Sequence, residues 1–199
     1  VAITIKPSVQ INQVADFVKY KVGTFQKFTT THSVAKYFLP PKTEVVPYNY
    51  DELIKKLINR KIDIAVVIPE QAIDLATLGG RIVFDFKTLG KNFLFSGFTI
   101  SNFLEPKYRK ELKSFLSAVR ESTRYILKNK DEAFKTFQKL FPYLKDQRSV
   151  FDYHLNVWSP TIKVEDADYN AAYKMWKHNY PELLKEYLPY FRTKSLADP

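Results

Sequence analysis

Two short clusters hold the residue types best suited to chemistry. Gln26-Lys27-Phe28-Thr29-Thr30-Thr31 leads into an apolar-periodic helix carrying Val34, Ala35, Tyr37, Phe38 and Leu39. Hydroxyls at a helix start cap free backbone N–H groups, and those N–H groups, with the positive end of the helix dipole, form a ready anion site. Capping alone and capping with ligand contact both fit the run. Pro69-Glu70-Gln71 closes the apolar run Ile64-Ala65-Val66-Val67-Ile68, which follows Lys61-Ile62-Asp63. In open α/β sheets ligands collect in the crevice beyond the carboxyl ends of strands, so this trio falls where binding chemistry is expected. An ordinary strand-to-helix turn with a proline stop accounts for the same residues.

Other chemistry has little support. His32, His154 and His178 lie far apart, and none has a second histidine or carboxylate at metal-ligand spacing, so no metal site is expected. The chain has no cysteine, which excludes disulfides, thiolate metal sites, iron–sulfur clusters and cysteine nucleophiles. No Gly-x-x-x-x-Gly-Lys-Ser/Thr loop, Gly-x-Gly-x-x-Gly or Gly-x-Ser-x-Gly occurs. Asp63 and Asp85 could approach at the sheet, but strand-end capping explains two such carboxylates as well as catalysis does.

The elements that must position these clusters follow from periodicity. The centre of Lys61 to Gln71, Ile64 to Ile68, is a continuous apolar run rich in β-branched residues, and reads as a parallel strand covered on both faces. Before it, Lys19 to Phe25 is a strand, and Glu44 to Tyr48 is another. Tyr50 to Arg60 is a helix whose Leu53, Ile54, Leu57 and Ile58 form one apolar stripe. The order strand, helix, strand, helix, strand indicates βαβ crossovers and a parallel sheet. Val1 to Ile5 is a short strand, Val14 to Phe17 a helical turn or loop, and Gln71 to Leu78 a helix ended by Gly79-Gly80. Arg81 to Phe86 and Asn92 to Ser101 read as extended. From Glu105 the pattern turns helical. One long amphipathic helix starts at Pro106 and runs to about Lys128, and a second ends at Pro142. Ser149 to Trp158, Val164 to Trp176 and Pro181 to Tyr187 continue in the same way.

With 199 residues, 45% hydrophobic and 16% aromatic, the chain can bury one good-sized core or two small lobes. No window reaches a membrane span and no signal peptide is visible at Val1, although an opening on Val1-Ala2 without methionine fits a trimmed product. The net charge of +10 favours anionic partners. About twelve basic and six acidic side chains fall between Glu105 and Arg148, on helical patterns where lysine usually forms a solvated face. Tyr125, Phe134, Phe137, Phe141, Phe151 and Trp158 sit at helical spacing and read as packing residues, so nucleic acid is not expected as a partner.

Three stretches taken together carry a resemblance: Val1-Ala2-Ile3-Thr4-Ile5-Lys6-Pro7-Ser8, Val18-Lys19-Tyr20-Lys21-Val22-Gly23-Thr24-Phe25, and Lys61 through Gln71. Their order resembles the distal part of a periplasmic-type solute-binding protein of an ABC transporter. The nearest group takes sulfonates, nitrate-like anions or thiamine pyrimidine precursors. In that group a connecting strand enters the second lobe, and a strand ending in a Lys-Val-Gly-like motif leads to a hydroxyl-rich helix start. A return strand, here resembling Leu94 to Ser101, then goes back to the first lobe, followed by helices such as Glu105 to Lys139. The stretch that normally begins the first lobe has no counterpart before Val1, which fits a fragment or a reduced relative. Gln26-Lys27-Phe28 also intervenes between Gly23 and Thr29, altering the hydroxyl signature.

The resemblance implies an α/β fold of the periplasmic binding protein type II class. It would comprise a small parallel or mixed sheet lobe flanked by helices and a helical C-terminal part. Residues 1–8 would be the connecting strand, 9–95 the α/β lobe, and 96–199 the return strand and mainly helical remainder. The implied function is non-catalytic binding of a small polar or anionic solute, with no cofactor, as the substrate-binding component of an uptake transporter with a permease partner. Such a receptor would be extracytoplasmic or membrane-associated and lipoprotein-related; otherwise a cytoplasmic location is expected. The ligand-binding residues implied are Thr24, Gln26, Thr29, Thr30, Glu70, Gln71 and Ser96. Lys27 would be a charge partner, and Phe25 or Phe98 an apolar wall. Glu70 instead predicts an amine-bearing ligand, so the two halves of the site predict opposite signs. Two rivals follow: an interaction module for an anionic surface or nucleic acid, and a pyrimidine-synthase-like enzyme that consumes its own histidine with a pyridoxal cofactor.

Overall fold

In the computed structural model, residues 1–89, 98, 101, 103–157 and 166–183 are described here. The chain divides into two units, Val1–Phe95 with Ala167–Phe191, and Ser96–Asp166 with Arg192–Pro199.

Among the described residues the first unit is built on five strands: β1 (Ala2–Thr4), β2 (Lys21–Phe25), β3 (Glu44–Tyr48), β4 (Ile64–Val66) and β5 (Arg81–Phe84). Their order across the sheet is β3-β2-β4-β1-β5. β2 pairs parallel to both β3 and β4, whereas β1 runs antiparallel to β4 and β5. The sheet is therefore mixed. The crossovers expected from periodicity are present as α1 (Thr30–Phe38), α2 (Tyr50–Ile58) and α3 (Pro69–Ala76), and a 3-10 turn at Val14–Lys19 precedes β2.

β4 explains why the apolar run has no polar gaps. Its side chains alternate between two separate cores. Ile64 and Val66 join Ala2, Phe17, Val22, Ala35 and Leu39, while Ala65 and Val67 join Ile3, Leu53, Leu57, Ala72 and Leu75. α1 thus covers one face and α2 with α3 the other, so both faces of the strand must be apolar. The strand is shorter than the run. Val67 extends the ladder by exchanging backbone hydrogen bonds with Val1 at 2.9 Å, but Ile68 already caps α3 because Pro69 fits the first turn of a helix. Gly23 lies inside β2 because no larger residue fits there. A Cβ would stand 2.5 Å from Ile62 Cδ1 and 2.6 Å from Leu53 Cδ1.

At the amino ends of β2 and β4, Asp63 ties three segments. Its Oδ2 accepts the Lys21 N–H at 2.8 Å, its carbonyl accepts the Thr4 hydroxyl at 2.6 Å, and its Oδ1 pairs with the Lys6 ammonium. The strand expected at Arg81 to Phe86 stops at Phe84, and Phe86–Leu89 forms a 3-10 turn that buries Phe86.

The same unit contains α7 (Asp166–Asn179) from Ala167 onward. Asn179 Nδ2 donates to the Ser33 carbonyl at 2.7 Å, fixing the helix end to α1.

In the second unit, α4 (Arg109–Lys128) and α5 (Lys130–Leu140) break at Asn129, as expected, and α6 (Arg148–Val157) follows. α4 begins after Pro106 rather than at it, since residues 103–107 form turns. Ala133, Phe151 and Leu155 make the buried core, with Phe134 and Phe137 packed on it. Arg148 clamps α5 to α6, bonding both Asp152 oxygens at 3.0 Å and Asp131 at 2.8 Å. Among the described residues no helix is long and apolar enough to cross a membrane. The extended segment expected at Asn92 to Ser101 and the turn at Ser159-Pro160 lie essentially outside the described residues.

Candidate functional site

The topology places a crevice between β2 and β4. These neighbours run in the same direction, yet the helix after β2 covers one face of the sheet and the helix after β4 the other. Connections that leave on opposite faces part at the carboxyl ends of the strands, which is where open α/β sheets hold ligands. The β2–α1 turn (residues 26–29) and the β4–α3 turn (67–68) flank that opening, and the β3–α2 turn at Asn49 lies beside them.

The β2–α1 turn is internally organised. Thr29 is the N-cap of α1, its hydroxyl oxygen accepting the His32 N–H at 3.4 Å and its O–H donating to the Gln26 carbonyl at 2.8 Å. Thr30 is the first helical residue, Gln26 and Lys27 are exposed, and Phe28 takes a left-handed backbone at φ 71°. That conformation costs a non-glycine residue about 1–2 kcal/mol. Thr24 is fully buried beneath the turn rather than facing the opening. Its hydroxyl lies 2.9 Å from the Phe25 carbonyl and 2.8 Å from His32 Nδ1. One hydroxyl hydrogen serves the carbonyl, so Nδ1–H of a neutral His32 supplies the other bond. Burial pushes this imidazole below its ordinary pKa, and the Lys36 and Lys27 charges push the same way.

Across the crevice, Gln71 Oε1 accepts the Ile68 N–H at 3.2 Å, closing the start of α3, and half-buried Glu70 stands in its first turn. Asn49 caps α2 by accepting the Glu52 N–H at 2.8 Å. Phe25, at the end of β2, stacks on Tyr50 with ring centroids 5.6 Å apart and planes 20° from parallel. Burial raises the Tyr50 pKa, helped by the carboxylates of Asp74 and Asp51.

Three helix amino termini thus converge on one edge of the sheet. Their first turns differ in charge. α2 carries Asp51 and Glu52 and α3 carries Glu70, whereas α1 has no acidic residue there and follows Lys27. The α1 start is the electropositive corner, and α3 opposes it with a carboxylate.

Of the expected residues, Thr24, Gln26, Thr29 and Thr30 gather at one turn and Glu70 and Gln71 at the other. Ser96 lies outside the described residues. Phe98 packs on Phe115 in the second unit, while Phe25 is the aromatic present at the crevice. Asp63 and Asp85 do not approach. Asp63 precedes β4 and Asp85 follows β5, which runs the same way, so they occupy opposite ends of the sheet. Among the described residues no three histidine, aspartate or glutamate side chains group to hold a metal.

Periodicity alone did not expose Asn49, Tyr50, His32 or Tyr180 as site residues. Asn49 has a readable signal, an N-cap type directly before an apolar-periodic run. Tyr180 has none, being 152 positions from Phe28, whose N–H it meets.

A family model described as NMT1/THI5 like matches residues 1–133. The family includes solute-binding proteins and also thiamine pyrimidine synthase. Among solved structures, the chain resembles the crystal structure of protein AF1704 from Archaeoglobus fulgidus, with a TM-score of 0.52 and 19% identity. The likeness covers 89% of this chain and 66% of that one, so the chain spans a little under two thirds of its length. No curated protein matches the chain. The family match extends over more than half of the sequence: the chain belongs to the NMT1/THI5 like family.

Proposed function

We propose, from that membership, that the chain binds a small polar or anionic solute in the crevice between β2 and β4 and serves as the binding component of an uptake system. The observation that carries this reading is the opposed charge of the two turns flanking the crevice. The α1 start offers backbone N–H groups, Lys27 and no carboxylate, which suits an electronegative group on the solute. The α3 start carries Glu70 and Gln71, which suit a donor such as an amine. A solute bearing both, such as an aminosulfonate or an aminopyrimidine, satisfies each side. The Phe25–Tyr50 stack supplies an apolar wall.

A membrane permease of the ABC type is the partner this reading implies, with an extracytoplasmic location. The site so described uses no cofactor and transforms nothing. Native mass spectrometry followed by thermal melts against sulfonates, nitrate, amines and pyrimidines tests it. At a hundredfold excess over Kd, stabilisation is about 2.7 kcal/mol, a shift of several degrees for a chain of this size. A panel with neither co-purified compound nor shift would remove the solute-binding reading.

A further inference from the structure

The end of α7 reaches the β2–α1 turn from the far end of the sequence. Tyr180 brings its hydroxyl within 3.4 Å of both the Phe28 N–H and the Ser33 Oγ. Its ring lies 4.9 Å from the Phe28 ring and 5.1 Å from that of Trp176, and Lys36 Nζ stands 5.6 Å from its centroid. Next to it, buried Asn179 donates to the Ser33 carbonyl, while its Oδ1 has no protein partner among the described residues. These contacts converge on the one residue of the turn that holds a left-handed backbone without being glycine.

We infer that Tyr180 is a positioning residue for the solute site. It holds Phe28 in its left-handed conformation and so fixes the Gln26–Thr29 turn at the α1 start. The inference rests on the solute-binding reading and extends the site beyond the region matched by the family model, which ends at residue 133. Its physical basis is the balance at Phe28. A left-handed bulky residue relaxes to an ordinary backbone unless its surroundings over-determine it. The acceptor for its N–H and the partner for its ring both come from Tyr180. A turn held in this way binds without first having to be ordered, which is where preorganisation raises affinity.

Tyr180→Ala removes both contacts and Tyr180→Phe only the hydroxyl. In the full chain, amide exchange read by NMR should show the Phe28 N–H exchanging about tenfold faster in both variants, since each lacks the hydroxyl that accepts it. The Leu53 and Leu57 amides of α2 should be unchanged. Calorimetric titration with nitrate, methanesulfonate and 4-amino-2-methylpyrimidine should show the best probe weakened about five- to tenfold in Tyr180→Ala. Tyr180→Phe should recover most of that loss through its ring, and both variants should melt within a few degrees of wild type. Equal Phe28 exchange in wild type and Tyr180→Ala overturns the inference whether or not a probe binds. Equal affinity for a bound probe overturns it too. Failure of every probe to bind the wild type counts against the solute-binding reading, and exchange at Phe28 then decides the role of Tyr180 by itself.

Discussion

The Thr24 hydroxyl sits 2.8 Å from His32 Nδ1, joining the last buried turn of β2 to the first turn of α1 beneath the candidate site. This bond fixes where the β2–α1 turn begins and ends. The Thr24 hydrogen is committed to the Phe25 carbonyl, so Nδ1–H is the donor to Thr24; burial, with no carboxylate among the groups that shift the ring, is what favours the neutral imidazole.

A pH dependence follows. The His32 pKa is lowered on folding, chiefly by burial, so between its folded value and the ordinary value near 6.5 the unfolded chain binds more protons. The stability His32 contributes is complete above about 6.5 and is lost as pH falls through the folded pKa. Urea midpoints for wild type and His32→Gln, taken from pH 8 to 5, should show wild type losing more stability below 6.5 than the variant. Parallel curves would contradict this.

Asp63 titrates in a lower window. Burial alone would raise its carboxyl pKa, but the Lys6 ammonium, the Lys21 N–H and the Lys6 and Lys21 charges outweigh burial and hold it below the ordinary 3.8. Its contribution is therefore complete above 3.8 and disappears as pH falls through the lowered value. Asp63→Ala removes the charged partner of Lys6 and the acceptor of the Lys21 N–H, costing about 1–3 kcal/mol at neutral pH. Chemical denaturation at pH 7 and pH 3 should show that cost shrinking in acid; a cost independent of pH would refute the assignment.

Gly23 offers a packing test. A methyl group there meets the ends of Ile62 and Leu53, both fully buried and unable to swing into solvent. Gly23→Ala should destabilise the protein by about 1–3 kcal/mol through overpacking, despite alanine's better strand entropy. Pairing it with Leu53→Val should recover part of the loss. A stabilised single variant would show that the two cores accommodate the methyl freely.

Local pattern made much of the first unit legible. The alternation of β4 between two apolar cores leaves a continuous hydrophobic run, and Asn49, Thr29 and Pro69 each mark a helix start by cap chemistry. Strand direction was less readable. Nothing in Ala2-Ile3-Thr4 distinguishes an antiparallel neighbour of β4 from a parallel one, since both faces are buried either way. The apolar run overstated the strand because it goes on past Val66, where β4 ends, to half-buried Ile68, which already caps α3. In the site, the types at positions 24–30 and 70–71 were visible, but not that Thr24 turns inward to His32. That depends on strand pleat and helix packing together. The contact of Tyr180 with Phe28 joins segments that share no periodicity.

The central claim is a solute site between the carboxyl ends of β2 and β4. Its most direct test is amide chemical-shift mapping of the full chain with whichever compound native mass spectrometry or the melting panel identifies. The account predicts saturable shifts concentrated at Gln26 to Thr30, Asn49 to Tyr50 and Ile68 to Gln71, with Thr4, Lys21 and Asp63 at the opposite edge of the sheet unmoved. Saturable shifts centred on that opposite edge, or confined to α4 and α5, would contradict it.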